Sequence, residues 1–381
     1  MVLLLIKRLN IVPFHRTASI FQCLITIFAI IITLGMALFK TKNAQIYLFF
    51  LTISLVSCRQ KEPDLSKIHL QIQIERFDRA LDSLTFTNIP LKHTLWQKKY
   101  GQFYSDFTSK ILQAGNVQDT GILFKNYRQI LQNHDFAELK KSTIQTYPDL
   151  TQHEEALTNA FKHIKFYFPK AEVPRFVSFF SGFTVQTPIN TEYIGIGLDM
   201  FLGKNSKFYP ALIKSIPFYI SRRFTPENIV PRTVETYLRE TLYPEPTFKK
   251  PDLLSYMIYN GKIMYLMDKM LPKLSDSLKI GYTKEQMVWA ANYQQDIWAW
   301  FLEEDLLFDT DYQRIQKHLG DAPFTPELGN QRESAPKLGV FIGWQIVKKY
   351  MENHPSIPLD QLLQFTDAQQ LLKDSKYKGL K

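Results

Sequence analysis

The sequence predicts a mainly helical α+β fold, a small sheet packed by a helical bundle. Three patterns carry the prediction. From Ile68 to Phe77, apolar residues (Ile68, Leu70, Ile72, Ile74) alternate with polar ones (His69, Gln71, Gln73, Glu75), the period of a half-buried strand. Residues 174–203 hold two aromatic and β-branched runs, Arg175 to Phe180 and Glu192 to Asp199, punctuated by Gly182 and by Thr187-Pro188-Ile189-Asn190. They read as two or three strands extending the same sheet. Most of the remaining chain repeats its apolar residues with a helical period.

Taken in order, Arg76 to Leu84 starts a helical stretch. Trp96 to Phe168 reads as two to four helices, broken near Gly115-Asn116 and at Tyr147-Pro148-Asp149 and stopped by Pro169. Phe218 to Phe224 is a short helix, Pro226 to Pro231 a turn, and Pro231 to Thr241 a helix with proline at its start. Leu253 to Leu271 is a long helix ended by Pro272. Thr283 with Gln286 forms a capping box opening a helix to about Phe308. Pro336 to Met351 puts Val340, Trp344, Val347 and Met351 on one face, and Asp360 to Leu372 closes the chain. With no repeat and no low-complexity linker, residues 68–381 read as a single globular domain.

The N-terminal part has a different logic. Lys40 and Lys42 precede a 12-residue apolar run, Ile46 to Ser57, which ends in Leu55-Val56-Ser57-Cys58 and turns polar at once with Arg59-Gln60-Lys61-Glu62. The run is too short to span a bilayer, which takes about 20 residues. It reads as a lipoprotein signal peptide, residues 36–57, with Cys58 as the lipid-attachment residue and 58–67 as a tether. Acyl chains contribute about 0.8 kcal/mol per buried methylene, so several of them give a lasting anchor. Upstream, Thr17 to Phe39 runs 23 residues without a charge. Residues 1–35 are thus either a transmembrane segment or an extension preceding a true start at Met36, which would leave a complete signal.

Composition narrows the function. Removing residues 1–57 leaves 324 residues and takes away five basic side chains (Lys7, Arg8, Arg16, Lys40, Lys42) and no acid, so the net charge falls from +10 to +5. That modest excess, without a basic stripe or docking motif, does not indicate nucleic acid. The two cysteines are Cys23 and Cys58, so the body has neither a disulfide nor a thiolate metal site.

The catalytic patterns in the sequence are incomplete. His153-Glu154-Glu155-Ala156-Leu157 has half of a zinc-protease motif, with Leu157 where the second histidine belongs. His163 follows ten residues after His153, about 15 Å along a helix, too far for one ion. Gly195-Ile196-Gly197-Leu198-Asp199-Met200 lacks the third glycine of a dinucleotide loop, so close strand packing or a bulge explains it better. No Walker loop and no Gly-x-Ser-x-Gly elbow is present. Glu303-Glu304-Asp305 reads as a solvated face, Asp296 as a buried polar group with a structural hydrogen bond, and Arg332 with Lys337 as an anion holder. Trp298 and Trp300 are candidate stacking platforms for a solute or glycan. No catalytic, metal or cofactor residue is assigned.

Several separated motifs occur together in order: the lipobox at Cys58, Ile74-Glu75-Arg76-Phe77-Asp78, Ile196 to Gly203, Phe224 to Pro231, Met257 to Lys262, Gly339 to Val347 and the tail Ser375-Lys376-Tyr377-Lys378. In these, residues 46–381 resemble the gliding-motility lipoprotein GldB family of Bacteroidetes. The resemblance implies an envelope lipoprotein, carrying palmitate or a similar acyl chain, needed for movement over surfaces. It also implies partners among the gliding-machinery and type IX secretion proteins, on the periplasmic side of a membrane. A second resemblance, over about 231–350, is to zincin-type peptidase scaffolds. Val234-Glu235-Thr236-Tyr237-Leu238 would stand for the His-Glu-x-x-His helix and Asn260-Gly261 for the third-ligand pair. It implies a degenerate zincin-like scaffold that has lost its metal and kept Glu235 without a partner. The leading expectation is therefore a non-catalytic anchored protein working through protein contacts; an envelope hydrolase and a solute- or glycan-binding lipoprotein are the alternatives.

Mass spectrometry of the mature chain is expected to find Cys58 as its first residue, bearing diacylglyceryl and N-acyl mass. A mature chain that retains residues upstream of Cys58 would remove the basis of this reading.

Overall fold

The computed structural model describes residues 63–248, 251–329 and 333–379. The lipobox, Cys58 and everything before Pro63 lie outside the described residues, as does Arg332.

Three short parallel strands organise the chain: β1 (Ile74–Arg76), β2 (Arg175–Phe179) and β3 (Tyr193–Gly197), in the order β1-β2-β3. Ile74 pairs with Phe176, and Phe176 with Ile194. Central β2 is buried along Phe176 to Phe179, as expected where both faces of a parallel sheet are covered. Its period of two deals side chains to two cores. Phe176 joins Ile74, Ile194 and Ile196 in the larger one, while Val177 and Phe179 join Tyr193 in the smaller.

The strand expected over Ile68 to Phe77 is shorter than its alternation suggests. Only Ile74 to Arg76 pair with β2. Upstream, the Ile72 amide donates to Thr158 Oγ1 (2.9 Å) and the Ile74 amide to Glu154 Oε1 (2.8 Å). Side chains of a helix satisfy the backbone where a neighbouring strand would otherwise lie.

The segment between β1 and β2 is helical: α1 (Phe77–Asp82), α2 (Ile89–Tyr100), α3 (Gln102–Asp106, continued by a π-turn over Phe107–Ile111), α4 (Thr120–Gln132), α5 (His134–Thr146) and α6 (Thr151–Tyr167). Breaks fall where expected, around Gly115 and at Tyr147-Pro148-Asp149, but helices are more numerous because Gly101, at φ 52°, adds a turn between α2 and α3. The smaller core forms around Phe77. Trp96, Tyr100, Phe103 and Phe107 meet its ring edge-on with centroids 4.8–5.2 Å away. Each such pair adds about 0.5–1.5 kcal/mol beyond area burial.

After β3 come 3-10 turns at Leu198–Phe201 and Tyr209–Leu212, then α7 (Phe218–Ser221). The helix expected from Pro231 starts earlier: α8 (Ile229–Tyr237) follows a 3-10 turn at Pro226–Asn228 and ends in a π-turn over Leu238–Leu242. Pro231 sits in its first turn, where no intrahelical partner is needed for an N–H. Next are α9 (Leu253–Met270), α10 (Asp276–Ile280), α11 (Lys284–Asn292), α12 (Gln294–Glu303), α13 (Tyr312–Ile315), α14 (Leu338–Asn353), α15 (Leu359–Gln364) and α16 (Ala368–Ser375). The Thr283–Gln286 capping box forms as read. The helix it opens divides at Tyr293, whose φ of −98° and ψ of 18° leave helical values. The closing helix divides at Phe365, whose backbone turns extended and presents its carbonyl to Lys262 Nζ at 2.6 Å.

Helix α9 is buried nearly all round, as befits a central helix, and α14 lies against it. Their seam is glycine-built. A Cβ on Gly343 would run into the Met257 carbonyl, and one on Gly261 into the Gly343 backbone. The main chains therefore touch. Gly343→Ala is expected to cost on the order of 3 kcal/mol, the upper end of overpacking penalties because backbone cannot yield as a side chain does. Urea denaturation would read this as a lower midpoint with an unchanged m-value.

Candidate functional site

On α8 and the π-turn that continues it, Val234, Tyr237 and Leu238 turn inward and are buried. Glu235 points another way, with 15% of its side chain exposed. It pairs with Arg232 one turn earlier and, at 2.9 Å, with Arg239 Nε one turn later. The expectation that Glu235 has no partner is thus corrected, for a reason visible in the spacing: residues at i−3 and i+4 share its helix face.

The network extends through distant segments. Arg232 Nη2 donates to the Lys279 carbonyl (2.7 Å). Asp321 Oδ1 accepts from Arg223 Nη1 and Lys337 Nζ, both at 2.9 Å. Lys337 precedes α14 with φ 52°, the left-handed region, and its Nζ also donates to the Ile280 carbonyl at 2.7 Å. Arg222 Nη2 donates to the Gly281 carbonyl at 2.8 Å. Five cations (Arg222, Arg223, Arg232, Arg239, Lys337) thus surround two carboxylates (Glu235, Asp321). Burial alone would raise Glu235, but Arg232, Arg239 and Lys337 pull it down to about 2. Asp321 likewise resists burial and is held well below the carboxylate range by Lys337 and Arg223. Burial pushes Lys337 down to about 8 against the pull of Asp321.

The residues read against the zincin scaffold do not fit a metal. Val234 and Leu238 offer no donor atom and fill the core. The Asn260 amide donates to Tyr256 O of its own helix (2.9 Å), and Gly261 forms the seam with α14. His153 Nε2 lies 3.4 Å from the Pro226 carbonyl, and His163 is buried elsewhere on α6. Among the described residues no three histidine, cysteine or acidic side chains group to hold a metal ion.

Other candidates resolve one by one. Glu154, read as part of a half motif, accepts the Ile74 amide. A Cβ on Gly195 would fall 2.7 Å from Pro188 and 2.8 Å from the Phe179 ring, so close packing explains that glycine. Glu303, Glu304 and Asp305 are exposed. Asp296 is exposed too, not buried as expected, because it lies on the outer face of α12 while Ile297 and Trp298 turn inward. Trp298 is buried and packs edge-on against Tyr377, so its ring is no open platform, while half-buried Trp300 packs edge-on against His318. Lys337 does hold an anion, but the anion is the chain's own Asp321. Sequence reading missed Arg232 and Arg239, which the i−3 and i+4 spacing could have revealed. It also missed Arg223 with Asp321, 98 residues apart, which no local pattern reveals.

These features define a class: a mainly helical α+β protein with a small parallel sheet, in which a buried network of arginines and a lysine holds Glu235 and Asp321. Over residues 58–379 the chain matches the family described as gliding motility protein GldB, and it belongs to that family. Membership gives it a role in gliding motility and, since the family is one of lipoproteins, an association with the cell envelope. Neither the curated proteins nor the solved structures include a match. Among the described residues no helix is long and apolar enough to cross a membrane.

Glu235→Gln is expected to destabilise the fold by about 3 kcal/mol at pH 7, since removing one partner of a buried pair strands the others. The folded pKa of Glu235 lies below its ordinary 4.5, so its contribution is complete above about pH 4.5 and fades as pH falls through about 2. The stability gap between wild type and Glu235→Gln, measured by urea denaturation, should close over that interval.

Proposed function

We propose that this chain is a lipid-anchored, non-catalytic component of the gliding machinery. Acylated Cys58 tethers it on the periplasmic side, and it acts by contacts with the gliding and type IX secretion proteins. The observation that carries the non-catalytic reading is the state of Glu235. A general base works best with a pKa near the working pH. Glu235, drawn to about 2 and held by two guanidiniums, is a poor proton acceptor at neutral pH. The flanking Val234 and Leu238 supply packing where a hydrolytic zinc would need nitrogen or oxygen donors.

The anchor rests on the lipobox, and the family match beginning at residue 58, the first residue of the mature chain on this reading, supports it. Cells carrying Cys58→Ser are expected to incorporate no labelled palmitate into the protein, to lose it from the membrane fraction and to stop gliding. Retention and labelling equal to wild type would overturn the anchor. Purified full-length chain is expected to bind no stoichiometric zinc and to leave peptides uncut. Chelator-sensitive hydrolysis would overturn the non-catalytic reading and favour the envelope-hydrolase alternative.

A further inference from the structure

Beside the α9–α14 seam, a second buried charge lacks what the Glu235 network supplies. Lys262 of α9 is 1% exposed. Its ammonium donates to the Phe365 carbonyl at 2.6 Å and reaches the Tyr243 hydroxyl at 3.5 Å, both neutral groups. It also stands 5.6 Å from the centre of the Tyr243 ring. Among the described residues no carboxylate is found to offset this burial. Lys279, also buried, shows the usual solution: Asp268 at 2.7 Å and Asp276 at 3.1 Å. An ammonium taken out of water without a counter-charge is costly, and burial pushes Lys262 down to about 8, leaving it largely charged at neutral pH.

Lys262 lines a cavity of about 490 Å³, within the range of small-ligand sites. Tyr243, Phe248, Ile258, Tyr259 and Phe365 make most of its wall, and Thr247 and Ser255 add hydroxyls. The division of Asp360 to Leu372 into two helices serves this place, because the turn at Phe365 brings that residue to the cavity wall and its carbonyl to Lys262. Aromatic walls around one fixed cation suit an apolar body bearing a single negative group.

We propose that this cavity binds an organic carboxylate. Its negative group meets the Lys262 ammonium and its apolar or aromatic body lies against Tyr243, Tyr259 and Phe365. A free small acid and the C-terminal carboxylate of a peptide present the same chemistry. The proposal stands independently of the anchor and of the non-catalytic reading.

Isothermal titration of the detergent-solubilised full chain at pH 7 tests it with two probes, 3-phenylpropionate and N-acetyl-diphenylalanine, each against its amide. At least one acid is expected to bind tenfold or more tighter than its amide. Binding of the first alone identifies a small acid as the source, and binding of the second alone a peptide terminus. Lys262→Met is expected to weaken the acid tenfold or more while retaining the circular dichroism of wild type. Should that variant unfold, Ala368→Phe, at a residue that also lines the cavity, is expected to abolish binding by filling it while leaving Lys262 in place. Acids and amides that bind alike, no binding by either acid, or acid affinity unchanged in a folded variant would overturn the proposal.

Discussion

The contact between the main chains of α9 and α14 is the constraint on which the larger core depends. Gly261 and Gly343 let two long, nearly buried helices approach until backbone meets backbone. Interiors are close-packed and transmit displacement, so this approach fixes where the other faces of both helices point. One outcome is the position of Lys262, one residue beyond Gly261. Another is the position of Lys337, one residue before α14 begins. Trp344, next to Gly343, is fully buried, and its indole N–H donates to Asp268 at 2.8 Å. Asp268 in turn pairs with Lys279, so the seam also sets the turn whose carbonyls receive Arg232, Arg222 and Lys337.

The sheet plays the corresponding part in the rest of the chain. Its three strands are short, yet β2 is paired on both sides and feeds a different core from each face. Helix α6 closes the edge at β1 with Glu154 and Thr158, so the segment upstream of Ile74 needs no fourth strand. A half-buried alternating pattern thus became a brief strand preceded by a stretch of chain bonded to a helix.

Much of this was legible from residue order where the signal is local. The alternation of Ile68 to Ile74, the β-branched runs near 176 and 194, the Thr283–Gln286 box and the face of Val340, Trp344, Val347 and Met351 all report their own conformation through neighbours a few residues away. The divisions at Tyr293 and Phe365 were hidden because each answers a distant partner or a local backbone departure that no period records. The same limit applies to the charges. Arg232, Glu235 and Arg239 can be read along one helix. Asp321 pairs with Arg223 across 98 residues, and its role becomes visible only when the chain closes. Asp296 shows the opposite error: position beside tryptophans suggested burial, but its own helix face turns it to water.

The charge network drawn from residues 222 to 337 also bears on how this region assembles. Its carboxylates and cations arrive on a helix, two turns and a helix start, and each leaves another ion stranded if it fails to dock. Intermediates that have some of these pieces in place and others absent carry an electrostatic penalty that the finished arrangement does not. The region therefore gains cooperativity from its ions as well as from its close-packed interior, and a fragment ending before Lys337 would inherit the burden of the charges without their remedy.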